Sequence, residues 1–302
     1  MLNKIKKFII KKIITQNNIF IKHQIGPYSI KLPSKHALKN YQETFKRYDI
    51  ALGEIAKIIN NKYPNLTAID IGANIGDSAA LLSKYNNIPT LCIEGNDIFL
   101  PILKENTKII GTHIKIEECF VGPENIFIDK EKIKTDKGTA TIVNSIHKTN
   151  SSILGKNIIQ NKSLLTILNS HKKFLNFKLL KIDTDGYDFC IINDSLNIIK
   201  KLKPIIFFEY DPSIPQNGDQ ESIDTINNLI STGYKQFIIY DNFGNFLMST
   251  NNPETFIDLN TYLKSNKKYK QIVYYFDICA FHEEDIDLFK KIKNIESNIA
   301  IL

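Results

Sequence analysis

The chain alternates β-branched apolar runs with helical runs from about residue 45 onward, and this alternation limits its fold more than any other feature. The run "LTAIDIG" is followed by a helical pattern, and the same pairing recurs at "PTLCIEGN" and "HIKIEECFVG". Strands that alternate with helices build βαβ units around a parallel sheet. We predict an α/β fold with seven strands, the last two paired antiparallel, and an irregular excursion over residues 122–160.

Residues 1–45 are predicted to be a basic N-terminal extension, and residues 46–302 a single domain. The first twelve residues contain five lysines and no acid, with aliphatic residues at helical spacing. Such a helix either packs on the domain with a solvated lysine face or contacts a membrane surface through residues 1–14.

The remaining charge and the absence of long apolar runs exclude other classes. The formal net charge of +7 falls to 7 − 5 = +2 without the first five lysines, so a nucleic-acid-coating surface is not expected. No apolar run reaches the roughly 18 residues that a membrane span requires, and no signal peptide is evident. We therefore predict a cytoplasmic protein, with peripheral contact at the inner membrane face as the further expectation for the extension.

A glycine loop, "DIGANIGD", follows the first predicted strand and predicts a ligand site. Gly72 allows a sharp turn, and Gly76 allows a ligand or helix to approach closely. The spacing departs from the G-x-G-x-x-G fingerprint, because Asn74 stands at the second glycine, and no Walker sequence follows. Asp70 at the strand end would repel a diphosphate but suits a cation. The loop therefore favours S-adenosylmethionine, which carries an ammonium, a sulfonium and no phosphate, over NAD.

The second predicted strand ends at Glu94, where a βαβ unit places a carboxylate against a ribose. Phe120, after the third strand, is where an adenine would stack, although an apolar strand end is equally expected there as core. The predicted cofactor contacts are Asp70, Gly72, Ala73, Asn74, Gly76, Glu94, Phe120 and Asp183.

A second group of acids follows the fourth and fifth predicted strands. Asp183 and Asp185 end the fourth, in "LLKIDTDGYDF", and Glu209 lies at the end of the fifth. Acids directly after apolar strands carry a desolvation cost that needs a reason. One reason is methyl transfer, in which these three acids orient or deprotonate an acceptor hydroxyl. Another is Mg²⁺ or Mn²⁺, although we predict no metal site. Asp183-Thr184-Asp185 is also the D-x-D motif of many metal-dependent glycosyltransferases, which is the alternative function.

These stretches together resemble the FkbM-type family of class I S-adenosylmethionine-dependent methyltransferases. The matching segments are "AIDIGANIGDSA", "CIEGN", "LLKIDTDGYDF", "PIIFFEYDP", "GYKQFIIYDNFGNFL" and "YYFDICAF". They cover about residues 60–282 in the family's order. The family's second motif often has Glu where this chain has Asp185, which shortens the side chain by one methylene.

The resemblance implies a Rossmann-like sheet with strand order 3-2-1-4-5-7-6 and helices on both faces. It implies that Asp70, Gly72, Gly76 and Glu94 contact S-adenosylmethionine. It also implies O-methylation of a sugar or polyketide hydroxyl, often in surface-polysaccharide pathways. We expect a small-molecule or glycan acceptor and no nucleic acid. A non-catalytic scaffold that keeps the fold is the other alternative, and the oligomeric state is not predicted.

Overall fold

A computed structural model gives the fold of the chain. It describes residues 19–136, 138–142, 145–147, 158–214 and 218–299. The amphipathic helix predicted within residues 1–14 lies outside the described residues. No helix in the described part of the chain is long and apolar enough to cross a membrane.

The described chain alternates strands and helices after an N-terminal β-hairpin. The strands are β1 (Phe20–Ile25), β2 (Tyr28–Pro33), β3 (Ala68–Ile71), β4 (Thr90–Ile93), β5 (Ile114–Glu117), β6 (Ile126–Asp129), β7 (Ile133–Asp136), β8 (Thr139–Ile142), β9 (Ser145–His147), β10 (Ile158–Gln160), β11 (Leu179–Ile182), β12 (Ile205–Tyr210), β13 (Tyr234–Asp241), β14 (Phe246–Thr250) and β15 (Phe276–His282). The helices are α1 (Leu38–Thr44), α2 (Ile50–Lys62), α3 (Asp77–Asn86), α4 (Leu100–Ile110), α5 (Leu164–Ser170), α6 (Asp188–Asp194), α7 (Leu196–Leu202), α8 (Gly218–Ser231), α9 (Glu254–Lys268) and α10 (Ile286–Ile299).

The main sheet has eight strands in the order β5-β4-β3-β11-β12-β15-β13-β14. The five strands from β5 to β12 are parallel, and β15, β13 and β14 pair antiparallel. The α/β class with a mostly parallel sheet is as predicted. The count of seven was wrong, because the sequence analysis missed β14. This short edge strand follows β13 after a tight turn and has a mostly half-buried pattern, so its apolar signal is weak.

The parallel strands owe their position to continuous apolar runs. All four residues of β3, β4 and β11 are buried, as expected for strands covered on both faces. Helices α5, α6, α8 and α9 contribute to the core on one face of the sheet, while α2 and α10 pack on the other. The first face carries Ile69, Leu180 and Phe208, and the second carries Ala68, Leu179 and Phe207.

The N-terminal hairpin β1–β2 packs against the domain. Ile30 and Leu32 are fully buried, in the same core cluster as Leu103 of α4. The Asn106 side chain of α4 accepts a hydrogen bond from the Lys31 N–H (2.7 Å) and donates one to the Lys31 carbonyl (2.9 Å). The domain boundary at residue 45 stays a prediction.

The segment 122–160 is more regular than expected where it is described. It contains β6 to β10, and β6 lies between β10 and β9 in a small antiparallel sheet. β7 and β8 form a separate hairpin. The strands are three or four residues long, so their alternation is too brief to stand out in the sequence. This hairpin reaches the site described next.

Candidate active site

The loop after β3 is folded around a close backbone approach. Gly72 has φ = +77°, and a Cβ at this position would lie 1.9 Å from the Asp183 carbonyl oxygen. Only glycine avoids both the strained conformation and the overlap. The Gly72 and Ala73 N–H groups donate to the Ile93 carbonyl at 3.0 and 3.1 Å. The ends of β3, β4 and β11 are therefore joined at one point.

Two of the predicted cofactor contacts in this loop, Ala73 and Gly76, pack closely against the domain, and their contact with a cofactor stays a prediction. Ala73 is 1 % exposed and belongs to the core cluster under α3 and α4. Gly76 has φ = +90°, and a Cβ there would lie 3.0 Å from Leu103 Cδ1. Neither residue is among the described residues that line the two cavities at the site. Gly76 thus allows α4 to approach, which was one of the two roles expected for it.

A buried lysine that the sequence analysis missed lies beneath the loop. Lys181 of β11 is in register with Asp70 of β3, which is in turn in register with Cys92 of β4, so the three side chains share one face. The Lys181 ammonium lies 3.3 Å from an Asp70 oxygen and 3.2 Å from an Asp183 oxygen. It also donates to the Gly72 carbonyl at 3.4 Å.

This lysine balances the charge of the two strand-end acids. Burial alone would lower the pKa of Lys181, but Asp183 and Asp70 raise it well above its ordinary value. Burial raises the pKa of Asp70, and Lys181 acts against that rise. The Asp70 oxygens accept no hydrogen bond from the described residues. The cation beside Asp70 in this structure is therefore Lys181, and the contact of Asp70 with the methionine end of a cofactor stays a prediction.

Glu94 closes the end of β4 over the same loop. Its carboxylate accepts hydrogen bonds from the Asn74 N–H (2.8 Å) and the Asn96 N–H (2.7 Å). Burial raises the pKa of Glu94 to about 7, although these N–H groups favour its charged form. A carboxylate has about four acceptor sites, and the backbone N–H groups of Asn74, Asn96 and Gly95 that favour its charged form leave it capacity for a further donor.

Glu94 lines a small cavity of about 70 Å³ together with Phe120. The Phe120 ring lies directly over Gly95, where a Cβ would be 2.5 Å from the ring. Val121, Ile128 and Tyr187 complete an apolar wall. We call this the smaller cavity. A flat apolar space beside a carboxylate is what a nucleoside requires.

A larger cavity of about 380 Å³ adjoins it, and Gly72, Asn74, Asp183 and Asp185 line both. Lys181 is its only lining lysine or arginine among the described residues. Its carboxylates are Asp49, Asp77, Asp136, Asp183, Asp185, Glu209, Asp211 and Asp277.

The carboxylates of the larger cavity raise one another's proton affinity. Burial and the neighbouring Asp183 raise the pKa of Asp185 to about 6. For the same two reasons the pKa values of Glu209 and Asp277 lie well above the ordinary range. Asp185 also has φ = +50°, an uncommon conformation for a residue with a side chain. Strain of this kind clusters at functional sites.

The β7–β8 hairpin bridges the two predicted groups of site residues. The Asn74 side-chain amide donates to the Gly138 carbonyl at 2.6 Å, and the Ala140 N–H donates to Asp185 at 3.0 Å. Gly138 also lies against His36, since a Cβ there would be 2.4 Å from the imidazole. The β7–β8 hairpin and the segment that contains His36 thus cover the cavities.

The structure brings together most of the predicted site residues. Glu94 and Phe120 line the smaller cavity, Glu209 lines the larger one, and Asp183 and Asp185 line both. The roles of the predicted residues stay predictions. Within the described residues, no group of three or more His, Cys, Asp or Glu side chains is arranged to hold a metal ion.

The acids Asp49 and Asp277 and the cation Lys181 were missed. Lys181 and Asp277 had a signal, because each interrupts an otherwise apolar strand. Asp49 had none, since it precedes a helix like many ordinary acids.

Comparison with solved structures finds methyltransferases at low identity. Methyltransferase FkbM from Methylobacillus flagellatus KT is 17 % identical, with a TM-score of 0.36 over 55 % of this chain and 37 % of its own. Precorrin-6y C5,15-methyltransferase from Geobacter metallireducens GS-15 is 11 % identical, with a TM-score of 0.37, covering 72 % and 80 %. The TehB-like SAM-dependent methyltransferase from Corynebacterium glutamicum is 11 % identical, with a TM-score of 0.36, covering 80 % and 96 %.

This chain therefore spans well under two thirds of the Methylobacillus chain. No curated protein matches the sequence. The assignment rests instead on the family model for the methyltransferase FkbM domain, which matches residues 70–270, two thirds of the chain. That match begins at Asp70 and includes both groups of strand-end acids. The chain belongs to the FkbM methyltransferase family.

Proposed function

We propose that the protein transfers a methyl group from S-adenosylmethionine to a hydroxyl of a sugar in a surface polysaccharide or related glycan. The observation that carries this proposal is the pair of adjoining cavities at the carboxyl edge of β3, β4, β11 and β12, which share Gly72 and Asp183 as a common wall. Ligands of open α/β sheets bind at this edge. A donor whose nucleoside lies in the smaller cavity and whose methionine end reaches past this wall would meet an acceptor bound in the larger cavity.

The residues present fit the proposed cofactor. Glu94 has lone pairs free for the ribose hydroxyls, and Phe120 offers an apolar face for the adenine. Asp77 and Asp183 line the larger cavity beside the loop and suit the cationic methionine end. Asp70, as an ion pair with Lys181, would interact with the methionine end. When bound, S-adenosylmethionine supplies an electrophilic methyl group on its sulfonium.

On the acceptor side, the acids would hold the hydroxyl in line and remove its proton. Asp185 and Glu209 face the larger cavity, and the raised pKa of each makes it a stronger base once it is ionised. The Asp183 side chain is half exposed and is fixed by Lys181 at 3.2 Å. It would orient the hydroxyl while Asp185 or Glu209 takes the proton.

The charge of the larger cavity supports a neutral sugar as the acceptor. Eight carboxylates against one lysine would repel a phosphate or carboxylate near the reacting hydroxyl. Aromatic side chains, among them Tyr48 and Tyr274, line the same cavity. Rings and carboxylates together suit the apolar faces and hydroxyls of a sugar.

Calorimetry with S-adenosylhomocysteine, followed by transfer of a ¹³C-labelled methyl group to neutral glycans, tests the proposal. We expect binding at one site per chain and a labelled methyl ether in the product. Absence of binding would overturn the methyltransferase assignment and favour the scaffold alternative. A labelled N-methyl or C-methyl product would overturn O-methylation alone.

The glycosyltransferase alternative does not fit the family. The chain matches a methyltransferase family over the residues that include Asp183-Thr184-Asp185. The first of these acids is paired with Lys181, and the third accepts a hydrogen bond from the Ala140 N–H. Both contacts tie the acids to the fold of the site.

A further inference from the structure

The end of α9 and the loop that follows it expose both apolar and basic side chains. Tyr269 is 63 % exposed and Ile272 is 69 % exposed. Lys267 and Lys268, just before Tyr269, and Lys270, just after it, are also exposed. We call these five residues the α9 patch. Tyr262, one and a half turns before the end of α9, is also 47 % exposed.

The fold itself does not account for this composition. α9 packs on the sheet through Phe256, Leu259 and Leu263, which are buried. Within the described part of the chain, the three lysines of the α9 patch form no ion pair with a carboxylate, whereas Lys264 pairs with Asp219.

The helix dipole does not account for it either. It favours lysine in the last turn, which covers Lys267 and Lys268. Lys270 lies beyond the helix, and the dipole gives no reason to expose Tyr269 and Ile272 to water.

The α9 patch is continuous with the entrance of the larger cavity. Tyr274, two residues beyond Ile272, is 40 % exposed and lines that cavity. The Lys267 ammonium donates to Ser213 Oγ at 2.6 Å, and the Ser213 N–H donates to Asp211 of the cavity wall at 2.8 Å. A surface that bound the α9 patch would therefore lie beside the cavity entrance.

We propose that the α9 patch binds the surface of an anionic lipid bilayer. Two features of the α9 patch support this partner: its lysines complement anionic headgroups in charge, and its exposed tyrosine and isoleucine suit the bilayer surface. Lysines beside a bilayer are attracted to anionic headgroups. Tyrosine suits the headgroup level because its ring is apolar and its hydroxyl is polar, and Ile272 reaches the acyl boundary. Docking in this way would place the entrance of the larger cavity beside the headgroup layer.

The proposal is tested by sedimentation of the full chain with vesicles of phosphatidylglycerol and phosphatidylcholine. The N-terminal lysines would add their own attraction, so the test uses a background in which they are neutralised. This background carries Lys4→Gln, Lys6→Gln, Lys7→Gln, Lys11→Gln and Lys12→Gln. We expect it to bind phosphatidylglycerol vesicles and to bind phosphatidylcholine vesicles weakly, with affinity falling as salt is raised.

Neutralising the α9 patch in this background should lower the partition coefficient. Lys267→Gln, Lys268→Gln and Lys270→Gln together are expected to lower it about 100-fold, at about fivefold per lysine. Tyr269→Ser with Ile272→Ser should lower it further at high salt, where the lysines contribute least.

A matched control lies on the opposite face of the sheet. Lys290, Lys291 and Lys293 are exposed on α10, which packs against the other core cluster. Lys290→Gln, Lys291→Gln and Lys293→Gln change the same charge and should change partition less than twofold. An equal loss in the control overturns the proposal, as does a background protein that does not sediment with phosphatidylglycerol vesicles.

Folding and an alternative partner are checked in the same series. Circular dichroism and thermal unfolding of the α9 and α10 variants should equal those of the background, since the residues substituted on these two elements are exposed. Binding of a single-stranded RNA without vesicle binding would identify a nucleic-acid surface and overturn the proposal. S-adenosylhomocysteine binding should stay unchanged in the α9 variants, so this test is independent of the proposed methyl transfer.

Discussion

The two cavities at the carboxyl edge of the sheet differ in size, polarity and origin. The smaller cavity has an apolar wall and three carboxylates, of which Asp183 and Asp185 are shared with the larger cavity and Glu94 is held by two backbone N–H groups. The larger is lined by eight carboxylates and by several tyrosines. The first offers one ordered carboxylate beside an apolar wall, whereas the second concentrates negative charge around a single lysine. Substitution of a carboxylate should therefore have different effects in the two cavities.

The largest effect is expected at the wall that both cavities share. Gly72→Ala would place a Cβ 1.9 Å from the Asp183 carbonyl in a left-handed conformation. We expect a loss of about 4 kcal/mol or more in the free energy of unfolding, measured by urea titration. Gly53→Ala, on helix α2, is the control: Ala gains about 1 kcal/mol in helix propensity, which offsets a Cβ 3.1 Å from the Leu81 carbonyl oxygen, so the net change should stay within about 1 kcal/mol. A mild effect at Gly72 would show that the ends of β3 and β11 separate easily.

Removing the cation beneath the loop should be nearly as severe. Lys181→Met leaves Asp70 buried with no counter-charge, which is expected to cost about 3–5 kcal/mol at pH 7. The double variant Lys181→Met with Asp70→Asn removes the stranded charge and should recover part of that loss. Additive losses in urea unfolding would contradict the pairing.

A crossed pair of variants separates the two cavities by function. Glu94→Gln should weaken S-adenosylhomocysteine binding about 10-fold to 100-fold, because it removes a charged acceptor from the ribose site. Glu209→Gln should leave that binding within about threefold and lower kcat instead. Calorimetry and steady-state kinetics measure the two effects. If both variants weakened binding equally, the division into donor and acceptor cavities would be wrong.

The smallest expected effect is a dependence on pH that belongs to the larger cavity. With a pKa of about 6 in the folded protein, Asp185 should be an active base only above that pH. At saturating cofactor, kcat should therefore fall about tenfold per unit as the pH drops below about 6. In the variant Asp185→Asn, this fall of kcat below about pH 6 should be absent. If the pH profile of kcat is unchanged in the variant, another acid removes the proton.

Asp185 should also make the stability of the fold depend on pH, in a direction that its raised pKa fixes. Its pKa is raised above the ordinary value of 3.8, so the folded state binds the proton more tightly than the unfolded chain does. The contribution of Asp185 to stability is therefore favourable at low pH and is lost as the pH rises through about 6. Asp185→Asn should raise Tm more at pH 8 than at pH 5.

The smaller cavity was easier to predict from the sequence because local segments build it. The loop after β3, the end of β4 and Phe120, which follows β5, succeed one another within about fifty residues. The main parallel strands were predictable for the same reason. The edge strand β14 was not, since one exposed edge weakens the apolar pattern.

The larger cavity combines segments that are distant in sequence. Asp49 precedes α2, Asp136 ends β7, and Asp277 lies near the start of β15. No local pattern relates these residues, because only the sheet order brings them to one place. Lys181 was missed because a lysine in an apolar strand looks like a solvent-facing position until the register with Asp70 is known.

The close approach of Gly72 to the Asp183 carbonyl has a consequence for the evolution of such an enzyme. The two half-sites meet at main-chain atoms, which carry no rotamers and are held by neighbouring strands. In the proposed methyl transfer, the spacing between donor and acceptor would therefore be insulated from substitutions of the side chains around it. The acids and tyrosines of the larger cavity could diversify, and with them the choice of acceptor, while the reacting distance would be inherited unchanged.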